Sequence, residues 1–156
     1  MEGRLAMKTT VENRVQETST RWRAPRYWLL GAAAVSCWAL SYHLAAGPGE
    51  VLAPLYAADL PVEAVSTVDL FFYQLAALVA GGAVGMVVAA FRTEWRKPLA
   101  WFIGTHYLAI SAVSLGFSFA WFGDPFGLIQ WAVFSPLALI TILAARSTKS
   151  PATARD

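Results

Sequence analysis

Residues 66–91, STVDLFFYQLAALVAGGAVGMVVAAF, leave the chain few ways to fold. From Leu70 to Phe91 they run 22 residues with no charge, no proline and a single amide, Gln74. A helix rises about 1.5 Å per residue, so this run reaches across the roughly 30 Å of hydrocarbon in a bilayer. A helix is also one of the few forms that closes all its backbone hydrogen bonds inside such a solvent. The only charge in the stretch, Asp69, falls in its expected first turn. Gly81 and Gly85 form a G-x-x-x-G pair with Gly82 beside them, which is a groove where another helix can approach closely.

The rest of the chain has the same character. Of 156 residues 57% are hydrophobic and 14% charged, against about 25% charged in a soluble domain. That deficit excludes a disordered chain and argues against a water-soluble core. Residues 27–46, 98–122 and 127–145 read as three further spans, with 66–91 second in order. The expected fold is therefore all-α, a polytopic membrane protein whose four-transmembrane-helix bundle forms one domain, 27–145. A cleaved signal peptide competes for 27–46, with Leu44-Ala45-Ala46 as its cleavage site. The 26-residue polar leader, and Trp38, Tyr42 and His43 in or after the apolar core, argue against cleavage.

Residues 1–26 carry six basic and three acidic side chains, and Leu5, Val11 and Val15 make only a poor helical stripe. They are expected to be a mostly disordered cytoplasmic segment. Arg21, Trp22, Arg23 and Arg26 form a juxtamembrane anchor at its end. Between the first two spans, Pro48, Pro54 and Pro61 are expected to prevent a long helix, with 51–58 flat at the interface or capping the bundle. Pro98 suits the first turn of the third span. Gly123 to Gly127, GDPFG, reads as a tight turn, and Pro136 should bend the fourth span. Residues 146–156 form a short polar cytoplasmic tail.

Charge decides orientation. All 12 Lys and Arg fall before the first span, between the second and third, or after the fourth. The other two connections hold Glu50, Asp59, Glu63 and Asp124 and no base. Four spans put the three basic regions on one side, and the positive-inside rule makes that side, with both termini, cytoplasmic. Trp28, Trp95 and Trp101 mark the inner boundary, Trp121 and Trp131 the outer one.

Polar groups at membrane depth are the first place to look for function. His43 lies roughly 24 Å along the first span and His106 roughly 12 Å along the third. Their different depths exclude a haem shared between them in one subunit and make a poor metal site. Asp69, at a helix N-terminus that favours an anion, is expected near the depth of His43. With Tyr42 or Tyr73 close by, a His43–Asp69 pair could bind a cation or a polar head from the outer side, and Gln74 could join it. The plainer readings are an interfacial histidine, and an N-terminal cap shared with Ser66 or Thr67. His106 reads as a hydrogen bond to a neighbouring helix or as an acid–base group. Tyr107, Ser111, Ser114 and Ser118 share one face of the third span and read as helix packing or a polar track. Cys37, the lone cysteine, allows no disulfide and reads as a small packing residue or a reactive thiol.

No phosphate loop, paired-carboxylate motif, H-E-x-x-H or nucleophile elbow occurs. No cofactor, metal or nucleic-acid partner is expected; the partners expected are the lipid bilayer and other membrane helices. The proline-bearing outer loop 52–61, the glycine-rich second span, the basic inner loop and the turn Gly123-Asp124-Pro125 together resemble the small bacterial four-helix membrane proteins of the DoxX-like kind. The resemblance covers 27–145 at the level of architecture and carries over no site residue. It implies a bacterial inner-membrane location. Three functions are expected to compete: a non-enzymatic accessory or assembly protein, a binder or transporter of a small apolar or amphipathic molecule through His43, Asp69 and Tyr73, and an enzyme acting on lipid or quinone through His106.

Overall fold

Helix is the only regular structure among residues 25–147, which are those the structure, a computed structural model, describes. The chain runs through α1 (Pro25–Gly47), a π-helical segment (Pro48–Leu52), α2 (Ala53–Ala57), α3 (Val62–Phe91), α4 (Thr93–Phe117), a second π-helical segment (Ser118–Phe122) and α5 (Gln130–Arg146). The expectations for the polar leader, its Arg21–Trp22–Arg23 anchor and the last part of the tail lie outside the described residues.

Three runs are long and apolar enough to cross a membrane: Pro25–Ala57, Val62–Phe91 and Thr93–Phe122. Helix α5 is apolar but has 17 residues. It begins later than expected because the preceding turn is longer than GDPFG. Gly123 takes the left-handed conformation (φ 64°) that closes the helix before it. Asp124 then holds the Phe126 amide on its side chain and the Gly127 amide on its carbonyl. Ser118 grips Leu128 by both its backbone N–H and its carbonyl, which keeps Leu128 out of α5.

Each long run buries only a third or less of its most apolar window: 22, 33 and 28% in chain order. Most of the hydrophobic side chains therefore face outward, among them Val35, Leu78, Val84, Phe102, Val113 and Leu139. An apolar belt of that extent has no stable exposure to water; it is the surface of a membrane protein. The interior is built instead from small residues, including Ala32, Ala83, Ala90, Ala100, Ala138 and Ala145. Small side chains let helix backbones come close, and this packing replaces the hydrophobic drive that lipid removes.

Tyr107 is the large exception. It is completely buried, and its hydroxyl lies 3.3 Å from Ser36 Oγ on α1 and 3.4 Å from the Val79 carbonyl on α3. Its ring packs against Phe134 of α5. Ser36 passes the hydrogen bond to the Ala32 carbonyl. One side chain of α4 thus ties the other three long elements together. Room for it comes from Gly82, where any Cβ would collide with the Tyr107 hydroxyl. The groove was expected at Gly81 and Gly85. Gly85 does meet α4, a Cβ there lying 2.8 Å from Ile103, but Gly81 has nothing within 4 Å. The close approach inside the chain is at Gly82 and Gly85.

Helices α4 and α5 form the most extensive pair. Ser111 donates to the Trp131 carbonyl and meets the Ser135 hydroxyl, and Gly104 lets α4 lie against Ala138 and Ile142. Ser114, on the same face, is half-buried. At the basic end Arg96 turns back and donates to the carbonyls of Ala89 and Ala90, at 2.9 and 3.0 Å. Those carbonyls end α3 without a partner in their own helix, so a cation there satisfies both hydrogen bonding and the helix dipole.

Two proline expectations are overturned. The stretch after α1 is not kept from being helical: helix continues, with a change of pitch, to Ala57. Pro48 opens the π-helical segment and Pro54 is the second residue of α2, so each missing amide falls in the first turn of a new pitch. The Ala53 amide bridges them by bonding the Pro48 carbonyl five residues back. Pro98 is the sixth residue of α4, not in its first turn. Its lost hydrogen bond belongs to Glu94, at the polar end of the helix, where water can replace it. Cys37 is exposed on α1 and does not pack inside the chain.

Candidate ligand-binding site

Helix α3 starts at Val62 because Pro61 caps it, its carbonyl accepting from the Ala64 and Val65 amides. Asp69 is consequently the eighth residue of α3, two turns inside, and the first-turn acid is Glu63. The expectation that Asp69 caps the helix is thereby overturned. Ser66 and Thr67 do not share such a cap either, since both donate to the Glu63 carbonyl. Asp69 accepts a 2.7 Å hydrogen bond from the Tyr56 hydroxyl of α2. That contact fastens the end of the first helical run over α3.

The expected His43–Asp69 pair does not form. His43 Nε2 lies 3.2 Å from the Phe72 carbonyl, and its ring stacks on the Phe72 ring with centroids 4.0 Å apart. A carbonyl only accepts, so Nε2 carries the hydrogen in this contact. Gly47 makes the arrangement possible, since a Cβ there would lie 2.7 Å from the Phe72 ring. Tyr73 touches Phe72 edge-on but is itself exposed, as is Gln74. Neither is among the residues that line the cavity of about 410 Å³ at His43.

His43 does line a cavity of about 410 Å³ between α1, α3 and α5. Its walls are apolar along Leu75, Val79, Val133 and Phe134, with polar groups from Tyr42, His43, Glu50 and Gln130. This volume suits a small ligand, and a mostly apolar wall with a few convergent polar groups is the usual make-up of a binding site. Trp38 and Tyr42, one helical turn apart, complete the α1 side with ring centroids 6.4 Å apart. Tyr42 donates a long 3.5 Å hydrogen bond to Glu50.

A second, smaller cleft of about 300 Å³ lies between α3 and α4. Gly81, Gly82 and Gly85 line one side, and Leu99, Phe102 and His106 the other. His106 stacks on Phe102, and its Nε2 is shielded with no hydrogen-bond partner among the described residues. The expected bond from His106 to a neighbouring helix is not formed at that nitrogen. The two histidines lie in different cavities. Among the described residues no group of three or more His, Cys, Asp or Glu could hold a metal.

Sequence reasoning singled out His43, which lines this cavity, as a partner of Asp69, and missed Glu50, Gln130 and Trp38 as its neighbours. The i, i+4 spacing of Trp38 and Tyr42 was a usable signal for the α1 wall. Gln130 comes from the far end of the chain and had no local signal.

Fold and site together define an all-helical membrane protein with a cavity between three of its helices. No family model, curated protein or solved structure matches the chain.

Proposed function

We propose that the chain is a four-span protein of the bacterial inner membrane that binds a small amphipathic molecule in the cavity between α1, α3 and α5. The observation that carries this is the cavity itself, apolar over most of its wall and polar at Tyr42, His43, Glu50 and Gln130. Such a shape matches a ligand with an apolar body and one polar end. Transport of that ligand is the natural extension. Filling the cavity tests the reading. Ala76→Phe puts a ring into its α3 wall; the protein purified in mild detergent should lose a co-purifying amphiphile that the parent retains, as read by native mass spectrometry. Equal retention by both would overturn the assignment.

Four spans with both termini cytoplasmic are supported by how the ends meet. Arg146, closing α5, stacks over Trp101 near the start of α4, with 5.5 Å to the ring centroid. Arg92 and Arg96 lie at the connection of α3 to α4. Helix α5 spans about 26 Å, at the short end of what crosses a bilayer. A fluorescent protein fused after Asp156 should light up in cells; alkaline phosphatase activity at the same position would sink the topology.

A second reading, an accessory protein that assembles with other membrane helices, is favoured by open glycines. Gly81 and Gly116 have nothing within 4 Å, so a further helix could lie against either. The two readings are compatible. The enzyme reading has less support, because acid–base chemistry at His106 needs a polar partner and none among the described residues bonds its Nε2. The likeness to the DoxX-like proteins adds only the architecture.

A further inference from the structure

The cavity has a chemistry more specific than an apolar pocket with a polar rim, and we propose that it selects a cationic amphiphile, with an alkylammonium head held between Glu50 and the rings of Trp38 and Tyr42. This rests on the reading of the cavity as a ligand site.

Three observations converge. First, Trp38 and Tyr42 line the cavity from successive turns of α1, their planes 24° apart. An aromatic face attracts a cation within about 6 Å of its centroid, and an indole most of all. Second, Glu50 brings a carboxylate to the same wall. Its one described contact is the long bond from Tyr42, and the ion pair Arg92–Glu94 is the only one among the described residues. Among the described residues Glu50 therefore has no cation to neutralise it. Third, the surroundings are one-signed. The described acids Asp59, Glu63, Asp69 and Asp124 lie in or beside the connections at this end, while Arg26, Arg92, Arg96, Lys97 and Arg146 lie at the other. A field of one sign at a cavity mouth concentrates the opposite charge. An anionic head would meet the Glu50 carboxylate and, among the described residues that line the cavity, no base. A zwitterionic lipid would satisfy the ammonium and leave its phosphate without a partner, so a net cation fits best.

The ligand's apolar part would lie along Val79, Val133 and Phe134. In the neutral ring of His43, Nδ1 remains an acceptor because Nε2 is taken by Phe72, which adds a partner for an N–H of a primary ammonium.

The full chain in phosphatidylcholine nanodiscs is titrated with decyltrimethylammonium, decanol and decyl sulfate, with empty nanodiscs subtracted and tryptophan fluorescence as readout. Saturable binding of the ammonium alone is expected. Glu50→Gln should weaken it about tenfold and Trp38→Leu several-fold, in line with loss of one close charge and one aromatic face. Both positions are exposed, so thermal unfolding of the variants should match the parent. If decanol binds as tightly as the ammonium and Glu50→Gln changes neither, cation selectivity is overturned while the cavity reading stands. If none of the three saturates above empty nanodiscs, both fall.

Discussion

Tyr107→Ala is expected to be the most damaging single substitution in the described chain, lowering bundle stability by about 3–5 kcal/mol. The estimate follows from full burial of a large ring that touches three other helical elements. Truncation leaves a cavity at the crossing of α1, α3 and α5 that small neighbours cannot close, since Ala83 and Ala138 are already as short as side chains come. Lipid does not change the argument, because what is lost is dispersion contact between packed atoms. Tyr107→Phe should cost only about 1 kcal/mol, since it removes two long hydrogen bonds and keeps the ring. Unfolding in mixed micelles of increasing dodecyl sulfate, followed by helical circular dichroism, measures both. Equal loss in the two variants would show that the hydroxyl, not the packing, holds the core.

Gly82→Val should come next, with a loss of about 3 kcal/mol, the upper part of the range for overpacking. Even the first added carbon collides with the Tyr107 hydroxyl, and Tyr107 is held by Phe134 and Ser36 and cannot swing aside. The informative control is Gly81→Val, one residue away on the same helix. It meets nothing within 4 Å and should stay within about 0.5 kcal/mol of the parent in monomeric form. The same micelle titration separates them. A larger effect at Gly81 than at Gly82 would mean that α3 is rotated from the orientation described. If Gly81→Val instead abolished association with another protein while leaving stability intact, the accessory reading would gain its first direct support.

Much of the fold was legible because lipid-spanning helices are specified locally. The 22 uncharged residues from Leu70 to Phe91 are one helix, and GDPFG does contain the turn that ends the third long run. What failed was bookkeeping of prolines. Pro48, Pro54 and Pro98 were read as breakers or first-turn residues, whereas the π-pitch segment and the polar helix end absorb their missing amides. Placing the start of α3 at Ser66 instead of directly after Pro61 misassigned the role of Asp69. His43 was legible as a polar group at depth, but its partner was not. Pairing it with Asp69 required only similar depth, while the structure gives His43 to the Phe72 carbonyl and Asp69 to Tyr56.

By itself the sequence determined that this chain is helical and that its helices belong in lipid. It also kept every base out of two of the connections, because length, apolarity and charge are properties of single segments. Only the tertiary structure decided that Gly82 and not Gly81 makes the close approach, that Tyr107 centres the core, and that Glu50 and Gln130 border one cavity. The reason is rotational. Successive residues on a helix point about 100° apart, so a single position separates a packed face from an open one. That angle is set by how the helices fit against each other, not by any one of them.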